Sequence, residues 1–438
     1  MNAAIFKEIK NAIQMSFRHR NMSLAAQRFC HTIMAIISKL EIRKRRRRTK
    51  DQFSHNLGIE IIIADLIIAS AKVESGWAHR SLCNDAFTNE DLGRVTFHNI
   101  IRQLESAGLV EIVRGGNLTN PFYNKNSDSR PFYPGLACRF RATPTMLLMA
   151  HEHGIDIKKI RGHYATVLPK NVIRLRAESR RKYGQKIGGQ KLVSKKDDTF
   201  TELHNQVMVI NKYLADQYLE GAIFNGYHRG FNCGDHPDFH WNKGGRLYSV
   251  GEDSYQKLKQ AQRLKDIRIN GESIIEVDVN ASYLTIYHGI CNTPLPKRKD
   301  LYKIKGLHRG VVKAWITSAF GSGTLPQRWP SIAKKELVRK GIDLKGMNFQ
   351  EVGERVCRAI PILAKLPETG ITWADLMFLE SKAIIGAMDT LRESYGIPAY
   401  SMHDGIIVPS SAKSIAQREV AEAYERLNFE CRTTSLSF

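Results

Sequence analysis

"YSMHDGIIVP" occupies residues 400–409. Two apolar, strand-like pieces flank His403, Asp404 and Gly405. Asp-Gly is a strong two-residue hairpin signal, because both residues tolerate positive φ. The stretch therefore predicts a buried hairpin turning at Asp404-Gly405. A carboxylate at such a tip either only makes the turn or also does chemistry. What the rest of the chain brings to meet it decides between the two.

Upstream, "RINGESIIEVDVNASYLTIYHGI" spans 268–290. Asn270-Gly271 marks another hairpin turn. "SIIEVDV" alternates, so Ile275, Val277 and Val279 face one way while Glu276 and Asp278 face the other. The strand ends at Asn280 and a helical pattern follows. A carboxylate at a strand end just before a helix is well placed for a divalent cation, although a lone strand Asp is a weak sign.

"LHRGVVKAWITSAFGSG" (307–323) predicts a helix. Arg309, Lys313 and Phe320 fall on one face, within about 40° by the 3.6-residue period. Two cations and an aromatic suit a triphosphate and its base. Taken alone, they better suit an amphipathic helix with snorkelling cations. "WADLMFLESKAIIGAMDTLRESY" (373–395) predicts a long helix capped by Thr372 and Asp375 and ended by Gly396 and Pro398. Leu376, Leu379, Ala383, Ala387 and Leu391 form its packing stripe. It runs directly into the opening hairpin.

Over roughly residues 200–438 this order resembles motifs A, B and C of a polymerase palm. "MHDGIIVP" resembles the His-Asp motif C of family A DNA polymerases and of single-subunit phage and mitochondrial RNA polymerases. "DVNASY" and "KAWITSAFG" resemble motifs A and B of family B DNA polymerases. "VIRLRAE", "FNGYHRGFN", "GGRLYSV" and "IRINGESIIEVDVNASYL" resemble a transposon and virus polymerase family of bacterial mobile elements, related to the first two groups.

The resemblance implies a right-hand palm built on an antiparallel sheet, with helical fingers. It implies two Mg²⁺ ions, with Mn²⁺ as a substitute, held by Asp278 and Asp404; Glu276 or a backbone carbonyl would complete the shell. Lys313 would contact the triphosphate and protonate the leaving group, with Arg309 beside it. Phe320 would stack near the incoming base and His403 would touch the primer terminus. Tyr283 lies five residues after Asp278, the offset at which family B enzymes exclude a 2′-hydroxyl and single-subunit RNA polymerases carry a small residue. Gly405 departs from the Glu usual in family A, so the hairpin supplies one carboxylate. No Asp-x-Glu exonuclease signature is visible. The implied activity is a DNA polymerase, primer-making included, that replicates a mobile element or phage. Its partners would be DNA template, primer and nucleoside triphosphates. An RNA polymerase or primase on the same palm is the alternative, and a non-catalytic replication initiator is a second.

The front half carries a different pattern. "TNED" (88–91) reads as an N-terminal capping signature. Phe97, Ile100, Ile101, Leu104 and Ala107 then recur at helical spacing, and Gly108 stands where a helix stops. "LVEIV" (109–113) alternates like a strand, "ACRFRAT" (137–143) reads as its return, and Thr143-Pro144 starts another helix. This order resembles the winged-helix domains of plasmid and phage replication proteins. It implies a recognition helix near 95–107 carrying Arg94 and Arg102, with Arg114 on the wing. A helix-hairpin without a ligand is the alternative.

The chain has 438 residues, 66 Lys and Arg against 43 Asp and Glu, a net charge of +23 and a pI near 9.7. Such an excess points to a polyanionic partner, most simply nucleic acid. The charge clusters in "RKRRRRTK" (43–50), with Arg45, Arg46 and Arg47 as DNA-binding candidates, and in 174–196. Both runs read as linkers along phosphates or as solvated charge. Seven scattered cysteines without a CxxC fit a reducing compartment. His228, Cys233, His236 and His240 lie close together, at spacings that match no standard zinc pattern. The stretch 58–71 contains Glu60 and Asp65 and predicts a buried helix, not a membrane span. With no signal peptide apparent, the expected location is the bacterial cytosol, with no membrane contact.

The expected fold is α+β: a helical arm (1–50), a winged-helix-like domain (51–170) in a mostly helical front half, a basic linker (171–200) and a palm with fingers (201–438).

Overall fold

A computed structural model of the chain describes residues 8–41, 45, 47–88, 90–116, 132–182, 185–251, 254–296 and 300–433. The fold is mixed α and β, with small antiparallel and mixed sheets. The chain divides into two compact units. One runs up to Asn171 and includes Val250–Ser254; the other comprises Val172–Ser249 and the chain from Tyr255 onward.

The first unit is built from β1 (Ile13–Gln14), α1 (Leu24–Lys39), α2 (Thr49–Lys72), β2 (Ala78–Arg80), α3 (Arg94–Ser106), β3 (Val110–Gly116), β4 (Phe132–Pro134), β5 (Cys138–Ala142) and α4 (Pro144–Glu152). Its sheet has the order β1-β2-β5-β3-β4. From Ile59 to Ala69 nearly every residue of α2 is buried, as the apolar run predicts for a central helix. By length and composition alone α2 would also span a membrane, but 67% of its most apolar window is buried inside the protein. Asp65 in that run is satisfied: it accepts from the Phe17 N–H at 2.9 Å and pairs with His19 at 2.6 Å. Helix α3 buries Phe97, Ile100, Ile101 and Leu104. Strands β3 and β5 pair antiparallel, Val110 opposite Ala142. Thr143 caps α4 by accepting from the Met146 N–H, with Pro144 in the first turn.

Two expectations need correction here. Residues up to 50 are not a separate arm. Ala26, Phe29, Cys30, Ile33 and Ile37 of α1 are buried in the same core as α2. "TNED" does not cap α3, whose N-cap is Gly93 without a side-chain bond. Its acids serve arginines instead: Glu90 pairs with the buried Arg18 and Arg80, and Asp91 with the half-buried Arg20 at 2.7 Å.

The second unit begins where a linker was expected. Residues 171–200 supply β6 (Ile173–Arg176) and β7 (Lys191–Leu192), because Val172, Ile173 and Leu175 alternate with the cations and are buried. Next come α5 (Asp198–Ala215), β8 (Leu219–Glu220), β9 (Tyr227–Phe231), β10 (Gly244–Ser249), α6 (Gln260–Asp266), β11 (Arg268–Ile269), β12 (Glu272–Asp278) and α7 (Ser282–Ile290). They are followed by α8 (Arg309–Ser322), α9 (Ser331–Arg339), α10 (Phe349–Ala359), α11 (Trp373–Tyr395), β13 (Tyr400–Met402), β14 (Gly405–Pro409) and α12 (Lys413–Thr433).

One sheet has the order β7-β6-β9-β10. The other, β8-β11-β12-β14-β13, is antiparallel throughout. Asn270 and Gly271, at φ 53° and 84°, turn β11 into β12 as the sequence predicts. The second hairpin turns one residue earlier than expected. Met402 pairs with Gly405, so His403-Asp404 is the turn and Gly405 already belongs to β14. His403, at φ 54°, takes the left-handed position. Helix α11 carries the expected capping box of Thr372 and Asp375 and stops at Gly396, φ 61°.

Candidate active site

Strands β12 and β14 are neighbours, and Asp278 stands opposite Gly405. Asp404, in the turn before Gly405, is exposed beside it. The close approach depends on glycine. A Cβ on residue 405 would lie 2.6 Å from the Val277 carbonyl oxygen and closer still to Asp278 Oδ1. Burial raises the Asp278 carboxyl above its ordinary value, and the charges of Asp404 and Glu276 push it the same way. Among the described residues, no side-chain hydrogen bond or ion pair engages the carboxylate of Asp278 or Asp404. Two adjacent acids left in this state are a donor set suited to a hard divalent cation.

Glu276 is not part of that set. It pairs with Arg263 at 2.6 Å and accepts from Gln260 at 2.8 Å. His403 is half-buried, its ring centroid 6.2 Å from Tyr248. Burial lowers its pKa, and the nearby Arg246 guanidinium adds to the effect.

Helix α8 presents Arg309 and Lys313 to Tyr302. Arg309 Cζ lies 5.3 Å and Lys313 Nζ 5.9 Å from that ring's centroid. Arg309 also pairs with Asp300 at 2.6 Å, while Lys313 is exposed. Burial raises the Tyr302 hydroxyl to about 12, with Asp404 contributing to the rise. Phe320 departs from expectation: it is 2% exposed and packs edge-on against Tyr287 at 5.4 Å and Tyr283 at 6.3 Å. It cannot stack on a base from there; it backs Tyr283 instead. Tyr283 itself is half-buried on the first turn of α7; burial raises its hydroxyl pKa, and the Asp404 charge adds to the rise.

Glu380 and Arg246 were missed from the sequence. Glu380 is 1% exposed on α11. It accepts from Arg246 Nε at 2.8 Å, and from Ser282 Oγ at 2.7 Å through its other oxygen. Burial raises its carboxyl to about 7, against the opposing pull of Arg246. The signal was present: Glu380 falls on the apolar stripe, four residues after Leu376, where an acid needs a partner. A second buried pair, Lys243–Asp375 at 2.8 Å, joins the chain just before β10 to the same helix.

The His228, Cys233, His236 and His240 group does not assemble. No cluster of three or more His, Cys, Asp or Glu able to hold a metal occurs among the described residues. His228 stacks on Tyr248 at 5.5 Å, and burial raises the Cys233 thiol to about 11.

The DNA-binding candidates all lie in the first unit. Arg102 is exposed on α3, in line with exposed Val95 and Asn99. Arg94 donates to the Leu82 carbonyl at 2.8 Å and to Asn84 at 3.1 Å, so it braces the loop before α3. Arg114 is half-buried on β3, Arg45 is exposed and Arg47 pairs with Glu41. Arg46 lies outside the described residues. Comparison of the chain with protein-family models, curated proteins and solved structures gave no match.

Proposed function

We propose that this protein is a template-directed nucleotidyltransferase, a DNA polymerase serving a mobile element or phage, of the transposon and virus type. The antiparallel sheet of the second unit is read as its palm. The α3–β3–β5 assembly of the first is read as a winged helix that engages DNA. The observation that carries the reading is the pair of carboxylates without side-chain partners: Asp278 at the end of β12, and Asp404 in the turn that leads into its neighbour β14.

Two divalent cations bound there would lower the pKa of a primer 3′-hydroxyl and neutralise the leaving pyrophosphate. The protein's own part is positioning and charge. Asp278 and Asp404 supply negative oxygens from a rigid sheet. Lys313, exposed on α8, meets triphosphate oxygens and is the proton donor to the leaving group. Arg309 would have to exchange Asp300 for phosphate. Tyr283, wedged against Phe320, faces the sugar. In the first unit, the α3 face of Val95, Asn99 and Arg102 enters the major groove, with basic side chains on phosphates.

Primer extension by the full-length protein tests this, on DNA and RNA templates with dNTPs or NTPs and Mg²⁺. Incorporation is expected with dNTPs. Asp278→Asn and Asp404→Asn should each reduce it at least about a thousandfold, roughly 4 kcal/mol of transition-state stabilisation, while duplex binding persists. Preferred use of NTPs would make the enzyme an RNA polymerase or primase. Magnesium-independent DNA binding without any incorporation would make it a non-catalytic initiator.

A further inference from the structure

The first turn of α7 is held from two directions by one carboxylate. Ser282 Oγ donates to Glu380 Oε2 at 2.7 Å, and Tyr424 Oη shares the same hydroxyl at 2.8 Å. On the other side Glu380 Oε1 takes both Nε and Nη2 of Arg246. Arg246 Nη2 in turn reaches the Tyr283 hydroxyl at 3.5 Å, with its guanidinium carbon 5.9 Å from that ring's centroid. Phe320 closes the far edge of the ring. Tyr283 is therefore clamped between an aromatic edge and a guanidinium. That guanidinium is fixed by a buried acid much later in the chain, on α11.

Such a clamp exceeds what is needed to hold α7 in place. Buried Leu284, Ile286 and Tyr287 already anchor that helix. An Arg and a Glu taken into the interior cost several kcal/mol of desolvation before their pairing returns it. What the pair fixes is the one half-buried ring on that turn.

Resting on the polymerase reading, we propose that Glu380 and Arg246 are the positioning residues of sugar selection, locking the Tyr283 ring so that a ribose 2′-hydroxyl is excluded. Tyr283 contacts the sugar; the other two act through it. A loose tyrosine would swing aside and admit the extra oxygen.

The test is the ratio of kcat/KM for an NTP to that for the matching dNTP, on one primed template with full-length protein. Glu380→Gln keeps the size and the acceptor for Ser282 but loses the second carboxylate oxygen, the one that takes both Arg246 nitrogens. It should raise the NTP/dNTP ratio about tenfold, chiefly through a lower KM for the NTP. In a Tyr283→Ala background it should add nothing, because the two changes act through one ring. Arg246→Lys keeps the charge and loses the two-pronged reach, and should raise the ratio as well. That variant stands in if thermal melts show Glu380→Gln unfolded. A merely structural Glu380 would lower the use of both nucleotides equally. An unchanged ratio in a folded, active variant therefore overturns the inference while leaving the polymerase reading intact. A wild-type protein that incorporates neither nucleotide overturns both.

Discussion

A methyl group at position 405 has nowhere to go. It would press on the Val277 carbonyl oxygen and on the Asp278 carboxylate at once, one backbone and the other the acid of the proposed site. Overpacking of this kind costs about 1–3 kcal/mol. Gly405→Ala should lower stability by that amount, read from urea unfolding. It should also cut extension at least about a hundredfold with both Asp278 and Asp404 still present. Glu380 gives a second test at a single side chain. Its carboxyl titrates near 7 in the folded protein against an ordinary 4.5, because burial favours the neutral form. Between those values the folded state holds a proton that the unfolded state has released. Stability from this group is therefore full below pH 4.5 and is lost as pH rises through 7, on the order of ~3 kcal/mol at about 1.4 kcal/mol per unit. Urea midpoints measured from pH 5 to pH 8 should fall in the wild type. They should fall less steeply in Glu380→Gln.

Strand β13 lies at the edge of its sheet, where backbone groups ordinarily go unpaired. Here Tyr227 Oη accepts from the Ser401 N–H at 2.9 Å, and Tyr255 Oη donates to the Ser401 carbonyl at 2.6 Å. Two phenols thus stand in for a missing neighbour strand, two residues before the His403-Asp404 turn. Tyr255→Phe should cost about 1–3 kcal/mol. It should speed amide exchange around Ser401 and lower kcat for extension severalfold with KM for nucleotide unchanged.

These tyrosines also show what the sequence discloses and what it hides. Local signals were readable: the Asn270-Gly271 turn, the Thr372–Asp375 box and the Thr143-Pro144 start each depend on residues a few positions apart. So was the placing of Asp278 at a strand end. Tyr255 and Ser401 are 146 residues apart, and no periodicity links them. The Asp-Gly dipeptide suggested a turn one residue too late, because pairing with β12 sets the register and takes Gly405 into the ladder. "TNED" misled for a similar reason: arginines outbid a helix end for its acids. Arg309 and Phe320 share a helical face, yet one meets solvent and the other an aromatic cluster, a difference only packing decides.

Each unit has its own buried cluster, one centred on α2 and one on the β12–β14 sheet with α11. Two calorimetric transitions are therefore expected for the full chain, and Glu380→Gln should move only one of them. The net charge of +23 predicts duplex binding that weakens steeply with salt. Replacing exposed Arg102 with Glu should weaken duplex binding and flatten the salt slope, without changing the rate per bound complex. A salt-independent affinity would contradict the assignment of the basic surface to phosphates.

The register of β12 against β14 also bears on how such a chain can drift over generations. A strand that slips by one residue turns every side chain to the opposite face. The tight turns at Asn270-Gly271 and His403-Asp404 frame the two paired strands. An insertion taken up within that frame would turn Asp278 away from Asp404 and carry the buried Ile274 and Val277 out of their places in the core at the same time. Lineages that keep this site must hold both turn lengths constant and accommodate gains and losses of residues elsewhere.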